Sequence, residues 1–120
     1  MAAILIVDDH HASLVALECV LEPLEQEILC AESGGDALQV VANNDVSLIV
    51  TDLRMKDMTG AELIERVRHG SRNARVPVIV FSGVDDQDPT LSQALKQDAE
   101  FVAKPCQPGS LLAYIRKKLA

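Results

Sequence analysis

Five short apolar runs, each separated from the next by a stretch with helical spacing, constrain this chain more than any other feature. The runs fall at 3–7, 27–31, 47–51, 76–81 and 100–103. The first, third and fourth are nearly continuous in Ile, Leu and Val, without polar alternation. A strand reads this way when both its faces are covered. Leu14, Leu17 and Leu21 recur at helical spacing after Asp9. Ser33 with Asp36 forms a weaker relative of the capping box, ahead of Ala37, Leu38 and Val41, whereas Thr59 with Glu62 is a full capping box before Leu63, Ile64 and Val67. Asp88-Pro89 has the form of an N-cap and first-turn pair. Pro108 opens a last helix whose Leu111, Leu112, Ile115 and Leu119 share one face. The order is strand then helix, five times over, which predicts an α/β fold: a parallel sheet with helices on both sides.

The 120 residues fit one domain over 1–120, and a hydrophobic content of 48% can fill its core. That fill is aliphatic, with one Tyr, two Phe and no Trp, which argues against a site that stacks a flavin or a base. A formal charge of −7 disfavours direct binding to nucleic acid or an anionic membrane. Arg66, Arg68, Arg72 and Arg75 are interrupted by small and apolar residues and read as a solvated helix end and loop. Cys19, Cys30 and Cys106 form no CxxC pair, so reduced thiols and a cytoplasmic location are expected. No signal peptide or membrane-spanning run is evident.

In open parallel sheets, ligands bind beyond the carboxyl ends of the strands. Asp8 and Asp9 follow the first run, Asp52 the third, Ser82 the fourth, and Lys104-Pro105 the fifth. Carboxylates converging on one edge repel unless neutralised, and a hard divalent cation such as Mg²⁺ neutralises them with oxygen ligands. Such a set can transfer a phosphoryl group to a carboxylate nucleophile, with lysine and hydroxyl groups meeting the phosphoryl oxygens. Taken singly, each residue also has a plain structural reading. Asp8 or Asp9 could cap a helix, Asp52 and Ser82-Gly83 could be turn residues, and Lys104 could be a surface lysine. Their joint placement at successive strand ends favours the chemical reading.

The sequence resembles the response-regulator receiver family of two-component signalling along essentially its whole length. The matching stretches are Ile4-Leu5-Ile6-Val7-Asp8-Asp9; Leu48-Ile49-Val50-Thr51-Asp52-Leu53-Arg54-Met55 with Met58 and Gly60; Val78-Ile79-Val80-Phe81-Ser82-Gly83; and Phe101-Val102-Ala103-Lys104-Pro105. The resemblance implies a flavodoxin-like (βα)5 three-layer sandwich with strand order 2-1-3-4-5. It implies Asp52 as phospho-acceptor, and Asp8, Asp9, Asp52 and the backbone carbonyl of Arg54 as Mg²⁺ ligands. It further implies Ser82 and Phe101 as switch residues, Lys104 as the phosphoryl-pairing cation, and a cis bond before Pro105. The output face would be the fourth helix, fifth strand and fifth helix. The implied partners are a histidine kinase or histidine phosphotransfer protein, and a downstream target or attached output domain. A domain of this kind would catalyse only its own phosphorylation and dephosphorylation. A stand-alone regulator and a piece of a longer hybrid protein are both compatible with the chain.

Several positions depart from the family pattern. Lys56 stands where Pro usually follows Met55, which is expected to loosen the loop after Asp52. Asp98 stands where Gly often ends the fourth helix, and Cys106 replaces a bulky apolar residue. Met55 and Met58 are expected to fill gaps in the core or loops. His10 and His11 are expected to be solvated, and His69 to sit at the end of the third helix. Three other functions are less consistent with the residues. A phosphorylation-independent interaction module fits poorly with the complete acidic, hydroxyl and lysine set. A nucleotide or flavin binder lacks a phosphate loop after the first strand. An Asp-nucleophile phosphatase would want an acid where Arg54 stands.

Overall fold

The computed structural model of the chain describes residues 2–70, 72–84 and 87–119. Its elements alternate as β1 (Ala3–Val7), α1 (His11–Leu21), β2 (Ile28–Ala31), α2 (Gly34–Asn43), β3 (Val46–Thr51), α3 (Gly60–Arg68), β4 (Val78–Ser82), α4 (Pro89–Leu95), β5 (Ala99–Ala103) and α5 (Pro108–Leu119). The strands pair in parallel in one sheet of order β2-β1-β3-β4-β5. This is the flavodoxin-like doubly wound arrangement, whose strand order reverses between β1 and β3.

The unbroken apolar runs follow from burial on both sheet faces. In β1, Leu5 and Val7 join a cluster with Ala37, Val41, Leu63 and Ile64 of α2 and α3, to which Leu91 and Ala94 of α4 also belong. Ile4 and Ile6 point the other way, into a cluster with Leu14 and Leu21 of α1 and Leu111 and Ile115 of α5. The strand's period of two thus sends alternate residues to two helical layers, and both layers demand hydrocarbon. The same division runs through β4, where Val78 and Val80 face one layer and Ile79 the other.

Local chemistry sets the element ends. The hydroxyl of Ser33 accepts the Asp36 N–H at 3.0 Å, that of Thr59 the Glu62 N–H at 3.1 Å, and the Asp88 carboxylate the Thr90 N–H at 2.9 Å. Helix α1 has His10 at its N-cap and no side-chain cap, so neither Asp8 nor Asp9 holds that role. Strand β4 begins two residues after the start of its apolar run, because Pro77 has no N–H to give the ladder. Asp98, just after α4, takes φ 64, the left-handed conformation that a Gly would otherwise supply. His69 caps the C-terminal end of α3. Met55 and Met58 pack against the cluster under α2 and α3, and Cys106 against the one under α1 and α5.

Two polar side chains bind the edge opposite the site. Asn73, at φ 62, donates from Nδ2 to the carbonyls of Val41 and Asn44 at 2.7 Å each, and its Oδ1 accepts the Val46 N–H at 3.0 Å. Arg68 donates to the carbonyls of Gln97, Ala74, Val76 and Asp98. Asn73→Ala removes three hydrogen bonds and strains the left-handed backbone, so it is expected to lower urea-unfolding stability by about 2–4 kcal/mol. Asn73→Gly relieves only the backbone strain and should recover roughly 1 kcal/mol of that loss. Equal stabilities for all three proteins would contradict this account of the clamp.

Candidate functional site

The register between β1 and β3 pairs Val7 with Thr51, so the next residues, Asp8 and Asp52, leave the sheet side by side at the switch point. The Asp52 N–H donates to the Val7 carbonyl at 3.0 Å, which fixes the start of the acceptor loop. On the other side Ser82 pairs with Ala103, and the Lys104 N–H donates to the Ser82 carbonyl at 2.9 Å. Among the described residues, the buried polar or charged ones are Asp8, Thr51 and Ser82, and all three lie at strand ends on this edge. Buried polar groups are costly without partners, so their concentration in one place marks a site.

The charges there are closely spaced. Lys104 Nζ is 3.3 Å from Asp8 Oδ2 and lies 5.1 Å from the centre of the Phe81 ring. Asp8 Oδ1 accepts the His10 N–H at 2.9 Å, and His10 Nδ1 is 3.2 Å from the same oxygen. Asp52 Oδ1 accepts the Leu53 N–H at 2.7 Å. Ligand atoms of Asp8, His10 and Asp52 lie within 4.8 Å of one another, a spacing that could hold a metal ion. The His10 side chain is 72% exposed, hence solvated as expected, yet it overhangs the acidic pair. Asp9 falls outside that three-residue group. Its Oδ2 accepts the Lys56 N–H at 3.0 Å, while its Oδ1 is buried, makes no hydrogen bond of good geometry and lies 3.1 Å from His10 Nδ1. A buried carboxylate oxygen whose nearest polar neighbour is an exposed imidazole nitrogen, set beside two further carboxylates, is what a hard cation would satisfy, so the donor set fits Mg²⁺. A cleft of about 530 Å³ opens beside Asp8, Asp52 and Lys104, with apolar walls that include Leu17, Phe81 and Leu111.

The loop after Asp52 is clamped rather than loose. Lys56, in place of the usual Pro, keeps an N–H, and that N–H reaches Asp9. Asp57 accepts the N–H groups of Gly34 and Gly35 at 3.1 and 2.9 Å, tying the loop to the first turn of α2. Arg54 pairs with Thr59 in a short antiparallel bridge, and its guanidinium grips Asp88 at 2.8 Å. Gly60 comes so close to the loop that a Cβ there would lie 2.5 Å from the Asp52 carbonyl oxygen. Hydrogen bonds from Thr90, with help from Arg54, hold the Asp88 carboxyl down at about 2. Phe101 stands apart from the pocket, inside β5 opposite Val80, half-buried against the layer that includes α4. On the other face of β5 the Tyr114 hydroxyl donates to Glu100, which also pairs with Lys118. Burial, aided by Glu100, pushes that phenol up to about 12. The Lys104–Pro105 peptide is cis. The clamps by Asp57 and Asp88 are absent from the sequence reading, because each joins residues 22 to 34 positions apart and leaves no local periodicity.

A doubly wound sheet with paired carboxylates at its switch point and a lysine across the crevice defines a class of small signalling domains, and comparison with known proteins agrees. The model of the response regulator receiver domain matches residues 4–116. The chain is 31% identical over 110 residues to the two-component response regulator ORR5 of Oryza sativa, covering 90% of this chain and 81% of that protein. It is 31% identical over 112 residues to the sensory/regulatory protein RpfC of Xanthomonas campestris, where the match spans 15% of the longer chain. A response regulator receiver domain protein (CheY-like) from Methanospirillum hungatei superposes with a TM-score of 0.86 at 30% identity, covering 99% of this chain and 94% of that one. The chain belongs to the response regulator receiver domain family.

The Gly35 and Gly34 N–H groups hold the Asp57 carboxyl below its ordinary value of 3.8. A carboxyl depressed on folding contributes stability that is fully present above its unfolded value and lost as pH falls through the folded one. Asp57→Asn is therefore expected to cost up to about 1 kcal/mol at neutral pH, as for loss of a helix cap. The difference from wild type should close as acid titrates Asp57. A gap between the two unfolding curves that persists unchanged down to pH ~2 would count against this assignment.

Proposed function

We propose that the chain is a phospho-acceptor switch in which Asp52 takes a phosphoryl group from a phosphohistidine. The observation that carries this reading is the gathering of buried polar residues and close carboxylates at one sheet edge. In this reading Asp8, Asp9, Asp52 and the Arg54 carbonyl hold Mg²⁺. When bound, that ion supplies positive charge for the approach of an anionic donor and for the phosphoryl group in transfer. Asp52 uses Oδ1 to accept the Leu53 N–H. That bond orients the carboxylate and leaves Oδ2 to attack phosphorus. The P–N bond breaks, its electron pair leaves with the imidazole of the donor, and an acyl phosphate forms on Asp52. Lys104, anchored by its N–H on the Ser82 carbonyl, offers its ammonium to the phosphoryl oxygens. Hydrolysis by water returns the carboxylate and releases inorganic phosphate.

Ser82, buried at the end of β4, would offer its hydroxyl to the new phosphoryl group, and Phe101 would change rotamer with it. Both changes would pass to the surface formed by α4, β5 and α5, where a downstream target or attached output domain would read them. The donor would be a histidine kinase or histidine phosphotransfer protein. The relative in a longer sensory/regulatory protein supports an embedded setting, and the response regulator covered to 81% of its length supports a stand-alone one. The chain acts on itself and turns over no separate substrate. No described helix is long and apolar enough to cross a membrane, and the reading places the domain in the cytoplasm.

Incubation with acetyl phosphate and Mg²⁺, followed by intact mass, tests this directly. Wild type should gain one phosphoryl group. Asp52→Asn, and wild type with EDTA, should gain none, and Lys104→Gln should gain it roughly tenfold or more slowly. A folded wild type that gains nothing, from acetyl phosphate or from a phosphohistidine donor, would replace this reading with a phosphorylation-independent interaction module.

A further inference from the structure

The guanidinium of Arg54 leaves the backbone two residues after Asp52, yet it is committed elsewhere. Its Nε donates to Asp88 Oδ2 at 3.2 Å, and its Nη2 to Oδ1 and Oδ2 at 2.8 Å each. Asp88 is the N-cap of α4, and its Oδ1 also accepts the Thr90 N–H at 2.9 Å and the Thr90 hydroxyl at 2.6 Å. One carboxylate therefore caps α4 and holds the acceptor loop to it across 34 positions of sequence. The Asp88 side chain is 12% exposed but that of Arg54 is 55% exposed, so the pair is held by its fork geometry and stays open to solvent on the arginine side.

We propose that the Arg54–Asp88 pair is a latch that competes with phosphorylation: Asp88 withholds the Arg54 guanidinium from the phosphoryl group on Asp52, and phosphorylation draws it away and frees α4 from the acceptor loop. This rests on Asp52 being the acceptor. An acyl phosphate brings more negative charge than a carboxylate and three acceptor oxygens, and guanidinium pairs with such oxygens in the fork geometry it now uses on Asp88. Thr90 keeps Asp88 as the cap after Arg54 leaves, so what is lost is the tether and not the helix. Linkage makes the competition reciprocal: whatever weakens the latch strengthens binding of a phosphoryl group or its mimic.

The test uses beryllofluoride with Mg²⁺ as the phosphoryl mimic, titrated into wild type, Asp88→Ser, Arg54→Gln and the double variant. Serine still caps a helix, so Asp88→Ser removes the ion pair and keeps the cap. Asp88→Ser should bind beryllofluoride at least about fivefold more tightly than wild type, and the gain should vanish in the Arg54→Gln background. The Thr90 amide resonance should move on beryllofluoride addition in wild type and move less in Asp88→Ser. Unchanged or weaker binding by Asp88→Ser overturns the latch, weaker binding meaning that Arg54 bridges the two anions. A gain that persists without Arg54 overturns it as well. Failure of wild type to bind beryllofluoride overturns the acceptor reading itself and the latch with it, an outcome distinct from a wild type that binds while Asp88→Ser binds no better.

Discussion

Crowding of negative charge at the end of β1 and β3 is the constraint on which the rest of this molecule depends. Asp8 and Asp52 are forced together by the register of two central strands, with ligand atoms within 4.8 Å. At an effective dielectric near 20, two unit charges at that spacing repel by about 3.5 kcal/mol. The fold offsets this with the Lys104 ammonium, 3.3 Å from Asp8, and with the N–H groups of His10, Leu53 and Lys56. One buried Asp9 oxygen still makes no hydrogen bond and has only the exposed His10 imidazole beside it. A site held in this condition attracts cations, and a cation in turn admits an anionic group. The apolar remainder of the sheet makes the arrangement rigid, since side chains that fill both faces leave the strand ends little freedom to relax.

Three acidic side chains position the acceptor loop, and each reaches it from or toward a different part of the fold. Asp9 holds Lys56 from the start of α1, Asp57 reaches out to the first turn of α2, and Asp88 grips Arg54 from the cap of α4. The loop is therefore a junction, joined by these contacts to the starts of three helices. Only the α4 connection is an ion pair between side chains, and it is the one that a phosphoryl group can compete for.

Strands β1, β3 and β4 and the caps of α2, α3 and α4 were legible in the sequence because their signals are local: unbroken hydrocarbon for a doubly covered strand, and a hydroxyl or carboxylate ahead of a helix. Boundaries moved by one or two residues where pairing, which is not local, set the end, as at Pro77. The positions of Asp8, Asp52, Ser82 and Lys104 at strand ends were legible for the same reason. The tethers were not. Asn73, Arg68, Asp57 and Asp88 act on backbone or side-chain groups distant in sequence; spacing marks Asp88 as a cap, but nothing in spacing or composition marks these long-range partners. Lys56 is the instructive case. Loss of a proline argues for a looser loop, but it also restores an N–H, and that donor finds the carboxylate of Asp9.

The measurement that meets the central claim most directly is chemical mapping of the phosphorylated residue. Protein treated with acetyl phosphate and Mg²⁺ would be reduced with borohydride, which converts an aspartyl phosphate to homoserine, then digested and sequenced by mass. Homoserine is expected at position 52 and nowhere else. Reduction at Asp8, Asp9 or Asp57, or a phosphoryl group found on His10 or His11 with no reducible aspartate, would contradict it.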